Sequence, residues 1–281
     1  MSKREVVVLS GVRTAIADFG GTLKDQPATE LAAKVVAEAV NRSGLSPEDI
    51  GHCVIGSVLH GDRRDMYISR VAALKAGLPV ETPSLTVNRL CGSGLQALVS
   101  AAQMILLDDC DVAVAGGSES MSRAPYWLPS ARFGANMGDG SMVDSLTGVL
   151  TCPIGDVHMG VTAENVADQF NISREEQDEL ANQSHQRAQR AIEENRFDGQ
   201  ILPIEIKTRK GVTTFDQDEH VRFDCDIESM AKLRPAFKKE GSVTAGNASG
   251  INDGAAALVL MEKAKAEEKG LKPIAKLIGY T

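Results

Sequence analysis

One cysteine, Cys91, lies where the sequence changes from a strand pattern to a helix pattern. Residues 84–87 alternate small polar and apolar side chains, which predicts a short buried strand. From Leu95 onward apolar residues recur at helical spacing, so we expect a helix to begin at or just after the cysteine. The positive end of a helix favours a thiolate over a thiol, and its free N–H groups can stabilise an oxyanion. The position therefore predicts a nucleophilic cysteine; the alternative is a small buried apolar residue beside a tight turn.

Four ordered motifs, the first of them around this cysteine, resemble those of the thiolase family. The family comprises acetyl-CoA acetyltransferases and 3-ketoacyl-CoA thiolases. The resemblance runs from about Val6 to the last residue, and the string RDMY at 64–67 is a weaker cue to the bacterial β-ketothiolase branch. The four motifs are NRLCGSG at 88–94, AGGSESMS at 115–122, HMGVTAEN at 158–165 and TAGNASGINDGAA at 244–256.

The thiolase resemblance implies a two-step reaction at a coenzyme A thioester. A cysteine thiolate takes the acyl group, and a second thioester or coenzyme A then receives it, with an oxyanion to stabilise and an α-proton to move. Cys91 matches the nucleophile, and the resemblance implies a coenzyme A thioester as substrate, no permanently bound cofactor and no metal. The positions that match the coenzyme-binding residues are His158, Met159, Arg222, Ser229, Leu233, Phe237, Ala245 and Ser249.

Some of these matched residues also have simpler interpretations. Arg222 is the one among them whose side chain offers bidentate phosphate pairing or stacking on adenine, yet it also fits a solvated surface charge. His158 alone would fit a surface or a core position equally well. Ser249 lies in a glycine-rich string that fits an ordinary turn. The motifs that contain His158 and Ser249 favour the coenzyme site.

Three strings that the family's mechanism also needs do not occur in these 281 residues. They are N-E-A-F, G-H-P and C-x-G-x-G, the last of which holds a second cysteine that serves as acid and base. None of the five histidines precedes a proline. We therefore expect the C-terminal half of the thiolase fold to be absent, and we expect this chain alone to catalyse little thiolysis or condensation, because residues that act as a unit lose orders of magnitude in rate together. Turnover of acetoacetyl-CoA at full enzyme rates would contradict this expectation.

Composition and charge exclude several classes of protein. Thirty basic and 38 acidic side chains give a net charge of −8, which argues against a nucleic-acid or anionic-membrane surface. No apolar run approaches the roughly 20 residues of a membrane span, and no signal-peptide core precedes the first predicted strand. The five cysteines are widely spread without a C-x-x-C pair, which argues against a disulfide framework or a zinc site. We expect a cytoplasmic protein.

Alternating strand and helix patterns predict an α/β layer fold. Residues 28–43 form an amphipathic helix pattern with Gly44 as its C-cap, and Ser173 opens a second helix whose inner face should carry Leu180, Ser184, Ala188 and Ile192. A final strand is predicted over 273–280. The resemblance implies a layered α/β/α half with a mixed five-stranded sheet, formed by 1–120 and 251–281, and an inserted loop domain, 121–250, that covers the coenzyme A site.

Other functions and the assembly state remain open at this point. A ketosynthase-type condensing enzyme would load its cysteine from a carrier protein, and a non-catalytic coenzyme A-binding module would not load it at all. A cysteine hydrolase is a weaker option, because no histidine lies in a recognisable partner motif. Related thiolases are dimers or tetramers, and residues 125–142 resemble the loop through which the tetramers assemble, so we expect a homo-oligomer and an exposed apolar surface.

Overall fold

The structure is a computed structural model that describes residues 4–209 and 211–280. The strands are, in chain order, β1 (Val6–Arg13), β2 (Ala17–Asp18), β3 (His52–Gly56), β4 (Ser84–Val87), β5 (Val112–Ser120), β6 (Tyr126–Trp127), β7 (Val143–Asp144), β8 (Thr151–Cys152), β9 (Val157–His158), β10 (Ile204–Thr208), β11 (Gly211–Phe215), β12 (Asn252–Glu262) and β13 (Ala275–Lys276). The helices are α1 (Ala28–Ser43), α2 (Ile68–Lys75), α3 (Ser93–Leu106), α4 (Ser145–Val149), α5 (Met159–Phe170), α6 (Arg174–Glu193), α7 (Ile227–Ala231) and α8 (Lys263–Glu268). None of the helices described is long and apolar enough to span a membrane.

The chain folds into two compact units. The sheet unit consists of the described residues of Met1–Ala124, Gln200–Gln217 and Asn252–Thr281, and the helical unit consists of Pro125–Gly199 and Asp218–Ile251. The predicted insertion, 121–250, includes residues of both units, because residues 200–217 belong to the sheet unit. The reason is apolar burial: Ile204 and Phe215, from the β10–β11 hairpin, are buried in the core beneath the sheet.

The main sheet is mixed. Its strand order is β13-β1-β12-β5-β3-β4, with β2 paired to β12. The pairs β3–β4 and β3–β5 are parallel, while β1–β12 and β12–β5 are antiparallel. The five longer strands match the predicted five-stranded sheet, and the two-residue strands β2 and β13 extend it. The strand predicted over 273–280 is limited to β13, because only Val7 and Val8 of β1 pair with it.

Both faces of the sheet are covered, which confirms the layered α/β/α arrangement. Alternate residues of one strand point to opposite faces, so Val7 and Leu9 of β1 join one core and Val6 and Val8 join the other. The first core is closed by α1 and α2, and the second by α3. The helix predicted over 28–43 is confirmed as α1, which ends at Gly44 in the left-handed region (φ 76°).

Strand β4 differs from the prediction of a buried strand. It lies at the edge of the sheet, where it pairs only with β3 within the described residues. Its residues are half-buried or exposed, and Leu85 is exposed. The following helix α3 buries Ala97, Ala101 and Ile105 but leaves Leu95 exposed. The alternation of residue types indicated a strand correctly but not its position in the sheet.

The inner face predicted for α6 is wrong in the first half of the helix, whereas the predicted Ala188 and Ile192 are half-buried. Its capping box at Ser173 is present as expected, but the buried residues of the helix are Asp178 and Asn182. Leu180 is 65% exposed and Ser184 is exposed. The physical reason is that polar partners satisfy the buried face: Asp178 accepts hydrogen bonds from Arg174 Nε at 2.7 Å and from Asn247 Nδ2 at 2.8 Å.

Candidate active site

Cys91 occupies the turn between β4 and α3. Its side chain is exposed, and it directly precedes Gly92, the N-cap of the helix. The expectation that a helix begins just after the cysteine is therefore confirmed. A thiol in this position can reach a ligand in solvent and lies beside the positive end of the 14-residue helix α3.

Backbone hydrogen bonds close the turn tightly. The N–H of Gly92 donates to the carbonyl oxygen of Arg89 at 3.1 Å, and the N–H of Ser93 donates to that of Leu90 at 2.9 Å. Leu90, immediately before the cysteine, has a φ of 49°. A left-handed backbone at a residue with a branched side chain costs roughly 1–2 kcal/mol, so the surroundings must hold it there.

Glycines on the sheet allow the start of α3 to lie directly on the strands. A Cβ added to Gly56, at the end of β3, would lie 2.5 Å from the backbone carbon and oxygen of Ser93. A Cβ added to Gly117, on the neighbouring β5, would lie 3.4 Å from the Cα of Gly94. The close approach fixes the height of the helix start, and with it the position of Cys91, above the sheet.

The remaining four cysteines differ from Cys91 in their environment. Burial, together with the nearby carboxylates of Asp226, Asp224 and Asp178, raises the pKa of Cys225. Burial raises the pKa of the Cys53 thiol to about 12. Burial, together with the nearby carboxylates of Asp109 and Asp111, raises the pKa of Cys110 to about 11. The backbone N–H groups of Gly155 and Ile154 lower the pKa of Cys152. Cys152 is therefore a thiol that ionises more readily than an ordinary one, and sequence reasoning did not single it out.

In the helical unit, His158 and Phe237 form a stacked pair. Their ring centroids lie 4.8 Å apart at an interplanar angle of 17°. The Nδ1 atom of His158 accepts the N–H of Gly160 at 3.0 Å and so caps α5. A Cβ on Gly160 would collide with the Phe237 ring. Gly160 thus allows the rings of His158 and Phe237, two predicted coenzyme-binding residues, to contact each other. Met159, the residue after His158, is 40% exposed.

A buried carboxylate fixes the loop that leads to the glycine-rich motif. Glu164 of α5 is only 2% exposed and accepts the N–H groups of Ser242 and Val243, each at 2.9 Å. Burial alone would raise its pKa, but these two N–H groups, the Ser242 hydroxyl and the charge of Lys238 outweigh burial, and the pKa is lowered. Glu164 therefore ties α5 to residues 242–243 as an ionised group.

A second polar network connects α6 to the chain before and after residues 242–243. Arg174 donates through Nη2 to the carbonyl oxygens of Met230, at 2.7 Å, and Leu233, at 3.1 Å. Asn247 connects the network to the loop, because its Oδ1 accepts the N–H of Thr244 at 2.8 Å while its Nδ2 donates to Asp178. Leu233 also packs closely over Gly246, where an added Cβ would lie 2.5 Å from its side chain. The exposed Ala245 lies inside this loop.

The other predicted coenzyme residues lie apart from the stacked pair along the chain. The backbone N–H of Arg222 donates to Nδ1 of His185 at 3.2 Å. Ser229 completes the capping box of α7, where its N–H donates to Asp226 at 2.7 Å. The Ser249 hydroxyl donates to the carbonyl oxygen of Gly250 at 3.2 Å. The hydrogen bonds and ring contacts described for this unit join neither Ser229 nor Ser249 to His158 and Phe237.

Sequence reasoning missed the residues that support these positions. Glu164 and Asn247 both lie within the motifs that carry the family resemblance, so their types were in view but their role was not. Arg174 and Asp178 lie four residues apart on α6, a spacing that by itself predicts only an ordinary ion pair on a helix surface. In the part of the chain that the structure describes, no three His, Cys, Asp or Glu side chains come together in a way that could hold a metal ion.

Comparisons with known proteins agree on one family. The family "Thiolase, N-terminal domain" matches residues 6–264. The chain is 60% identical over 278 residues to the β-ketothiolase BktB of Cupriavidus necator, and the match covers 99% of this chain and 71% of that protein. It is 48% identical to an acetyl-CoA acetyltransferase of Chromobacterium violaceum, with 98% of this chain and 71% of the relative covered.

Solved structures show the same relation. The Bacillus anthracis acetyl-CoA acetyltransferase superposes with a TM-score of 0.95 at 47% identity, covering 99% of this chain and 71% of that one. Human mitochondrial 3-ketoacyl-CoA thiolase in complex with CoA superposes with a TM-score of 0.94 at 40% identity, covering 98% of this chain and 69% of that one. The chain thus spans about 70% of the length of these relatives.

Proposed function

The chain belongs to the thiolase family, whose N-terminal domain it contains, and on this premise we propose that it is an acyltransferase that works through a cysteine acyl-enzyme. The reaction is thiolysis of a 3-ketoacyl-CoA or, in reverse, condensation of two acyl-CoA molecules. These 281 residues alone should catalyse little of it, because the strings that hold the family's acid and base do not occur among them. One observation carries the proposal: the exposed thiol of Cys91 directly precedes a helix that rests on the glycine-lined end of the sheet.

The acyl group moves in two steps, first from coenzyme A to Cys91 and then from Cys91 to a second thioester. The thiolate of Cys91 attacks the carbonyl carbon of a thioester, the carbon–sulfur bond to coenzyme A breaks, and the coenzyme leaves as a thiol after it gains a proton. In condensation, the α-carbon of a second thioester loses a proton and attacks the acyl-cysteine, which frees the thiol of Cys91. In thiolysis the same bonds form and break in reverse order.

We propose that residues of the helical unit hold the coenzyme. The stacked rings of His158 and Phe237, with Met159, Leu233 and Ala245, offer apolar surface to the pantetheine arm. The exposed hydroxyl groups of Ser249 and Ser229 offer hydrogen bonds. The guanidinium of Arg222 offers a partner for a phosphate or for the adenine face. The relatives' names, which include acetyl-CoA acetyltransferase and a thiolase in complex with CoA, support this choice of ligand.

We propose the same setting for the reaction as the cysteines and the chemistry indicate. The protein acts in the cytoplasm, because five dispersed cysteines without a disulfide fit a reducing compartment. It uses the coenzyme A ester as a substrate and holds no permanent cofactor. Its reaction is part of the breakdown or synthesis of fatty acyl chains, since both directions exchange acetyl units between 3-ketoacyl-CoA and acetyl-CoA.

We also propose that the chain forms a homo-oligomer, a dimer or a tetramer. Among the residues that the structure describes, strand β4 lies at the edge of the sheet, and an edge strand offers unpaired N–H and C=O groups to another copy. Large apolar side chains are exposed in the segment from Pro125 to Val143, among them Trp127, Phe133 and Met137. A soluble monomer rarely exposes so much apolar surface in one stretch.

Incubation with acetyl-CoA followed by intact-mass measurement tests the activity. We expect a mass gain of one acetyl group on the wild-type chain and none on Cys91→Ala. The same assay with an acetylated carrier protein separates the candidate reactions, because loading from the carrier but not from coenzyme A would favour a ketosynthase. Coenzyme A binding without any acetylation would favour a binding module, and release of free acetate would favour a hydrolase.

A further inference from the structure

We propose that Ser93 is a positioning residue for the reactive thiol, because its hydroxyl forms two hydrogen bonds across the turn that contains Cys91. This inference rests on the proposed function, in which Cys91 is the nucleophile. It assigns to the serine a role beyond helix initiation: it sets where the sulfur points.

The Ser93 hydroxyl bonds to both residues that precede the cysteine. Its Oγ accepts the backbone N–H of Arg89 at 2.9 Å and donates to the carbonyl oxygen of Leu90 at 2.6 Å. The side chain is buried, with 5% of the residue exposed, so water does not replace these bonds without cost. The chain enters and leaves Cys91 through residues that this one hydroxyl holds together.

The hydrogen bond from the Ser93 hydroxyl holds Leu90 in a strained backbone conformation. Leu90 has a φ of 49°, a left-handed conformation that its side chain disfavours. Two side chains act against relaxation: Ser93 holds the carbonyl oxygen of Leu90, and Asn88 Oδ1 accepts its N–H at 3.0 Å. Without the Ser93 hydroxyl, the carbonyl oxygen of Leu90 keeps only its bond from the backbone N–H of Ser93, at 2.9 Å. Leu90 then moves more readily toward a right-handed conformation, and the adjacent Cα–Cβ bond of Cys91 turns with it.

The serine itself is fixed from the sheet side. Its backbone carbon and oxygen lie directly over Gly56, at the distance where a Cβ on that glycine would collide. The hydroxyl is therefore anchored to the sheet at one end and to the turn at the other. Displacing a reacting atom by about 1 Å can cost on the order of a hundredfold in rate, so this anchoring matters for the attack on a thioester.

The test compares Ser93→Ala with Ser100→Ala in a Cys152→Ser background, which removes the second reactive thiol. Ser100 is a matched control, because it lies on the same helix and its Oγ accepts a single side-chain bond, from Gln96 at 3.1 Å. Ser93→Thr, which keeps the hydroxyl, is the conservative variant. The readouts are the rate of Cys91 acetylation by acetyl-CoA, the rate of its alkylation by iodoacetamide across pH, and the dissociation constant of coenzyme A.

We expect Ser93→Ala to slow acetylation about tenfold, the scale of one lost buried hydrogen bond, with coenzyme A affinity unchanged. Ser93→Thr should restore most of the rate, and Ser100→Ala should leave it unaltered. An unchanged acetylation rate and an unchanged alkylation profile in Ser93→Ala would overturn the inference. Equal losses in Ser93→Ala and Ser100→Ala would overturn it too, since they would indicate a general effect on the helix.

Two further measurements keep the outcomes distinguishable. If the wild-type chain is not acetylated at all, the proposed function fails, but the alkylation profile of Cys91 still tests whether Ser93 positions the thiol. If Ser93→Ala does not fold, the exposed residue Asn88 provides the comparison, since Asn88→Ala removes the second restraint on Leu90 and Asn88→Ser keeps an oxygen acceptor. Equal acetylation and alkylation rates in those two variants would then contradict the inference.

Discussion

Burial raises the pKa values of the Cys53 and Cys110 thiols to about 12 and about 11, so both stay protonated even at about pH 8, where an ordinary thiol is partly ionised. Cys91 is exposed, and backbone N–H groups lower the pKa of Cys152. Cys91 and Cys152 are thus the candidates for reaction, whereas a raised pKa disfavours the thiolates of Cys53, Cys110 and Cys225. Because Cys91 and Cys152 belong to different units, a reagent can be used to examine each unit separately.

Iodoacetamide at about pH 8, where an ordinary thiol is partly ionised, should modify Cys91 and Cys152 first. Cys53 should stay unmodified until the chain unfolds, because its thiolate is strongly disfavoured by burial. Peptide mass spectrometry over a time course measures each site. Modification of Cys53 at the rate of Cys91 in the folded chain would contradict this ordering.

Glu164→Gln should destabilise the helical unit by about 1–3 kcal/mol, because a neutral amide cannot replace a carboxylate that accepts several buried hydrogen bonds. The pKa of Glu164 is lowered in the fold. Its contribution is therefore fully present above the unfolded glutamate pKa and is lost as pH falls through the lower, folded pKa. The stability difference between wild type and Glu164→Gln should narrow at acid pH.

Urea unfolding of both proteins at neutral and acid pH measures this difference. Glu175→Gln is the matched control, since Glu175 is exposed in the first turn of α6. We expect it to change stability by no more than about 0.5 kcal/mol. A Glu164→Gln effect that is as small as the control, or that grows toward acid pH, would show that Glu164 does not hold the loop as an anion.

At the scale of elements, the seat of α3 on the sheet decides where the thiol lies. Gly56→Ala places a methyl group against the backbone of Ser93, so the helix start must shift. We expect a loss of stability of about 1–3 kcal/mol and a slower acetylation of Cys91. Denaturant unfolding and the acetylation rate measure the two effects.

Gly94→Ala provides the control for stability, because a Cβ there meets nothing within 4 Å. Alanine at an unhindered helix position should stabilise the chain by up to about 1 kcal/mol. If Gly56→Ala is as stable as Gly94→Ala and equally reactive, the close approach between β3 and α3 does not position the cysteine.

Elements with a regular apolar period could be predicted from the sequence, and elements defined by polar contacts could not. Helix α1 follows from its buried stripe and its Gly44 cap. The inner face of α6 was misassigned because its buried residue Asp178 is satisfied by Arg174 and by the distant Asn247, a pairing that no local pattern reveals. Likewise, the motif located Cys91, but only the fold shows Ser93 bonded across the turn.

At the scale of the molecule, the two compact units do not coincide with the predicted insertion, 121–250, and the rest of the chain. The hairpin β10–β11 belongs to the sheet unit although it lies within the insertion in sequence. Backbone hydrogen bonds to Arg13 of β1 hold the chain where it comes back to the sheet unit. The carbonyl oxygen of Arg13 accepts the N–H of Leu202 at 2.7 Å, and the N–H of Arg13 donates to the carbonyl oxygen of Gln200 at 2.9 Å. Sequence order alone could not predict the return, because it depends on contacts between residues far apart in the chain.

Exposed apolar side chains lead to a prediction about assembly. The chain should sediment as a dimer or larger species, and Phe133→Asp should shift it toward monomer, because Phe133 is 93% exposed in the segment from Pro125 to Val143. Val212→Asp, on the β10–β11 hairpin, is the control and should leave the distribution unchanged. A wild-type chain that sediments as a monomer at every concentration tested would contradict the proposed homo-oligomer.

The central claim is that Cys91 takes an acyl group from a coenzyme A ester, and site-resolved mass spectrometry after incubation with acetyl-CoA tests it most directly. The account predicts the acetyl group on the peptide that contains Cys91, released by hydroxylamine as expected of a thioester, with the Cys152 peptide unmodified. Acetylation confined to Cys152, or no acetyl thioester on any cysteine while coenzyme A still binds, would contradict it.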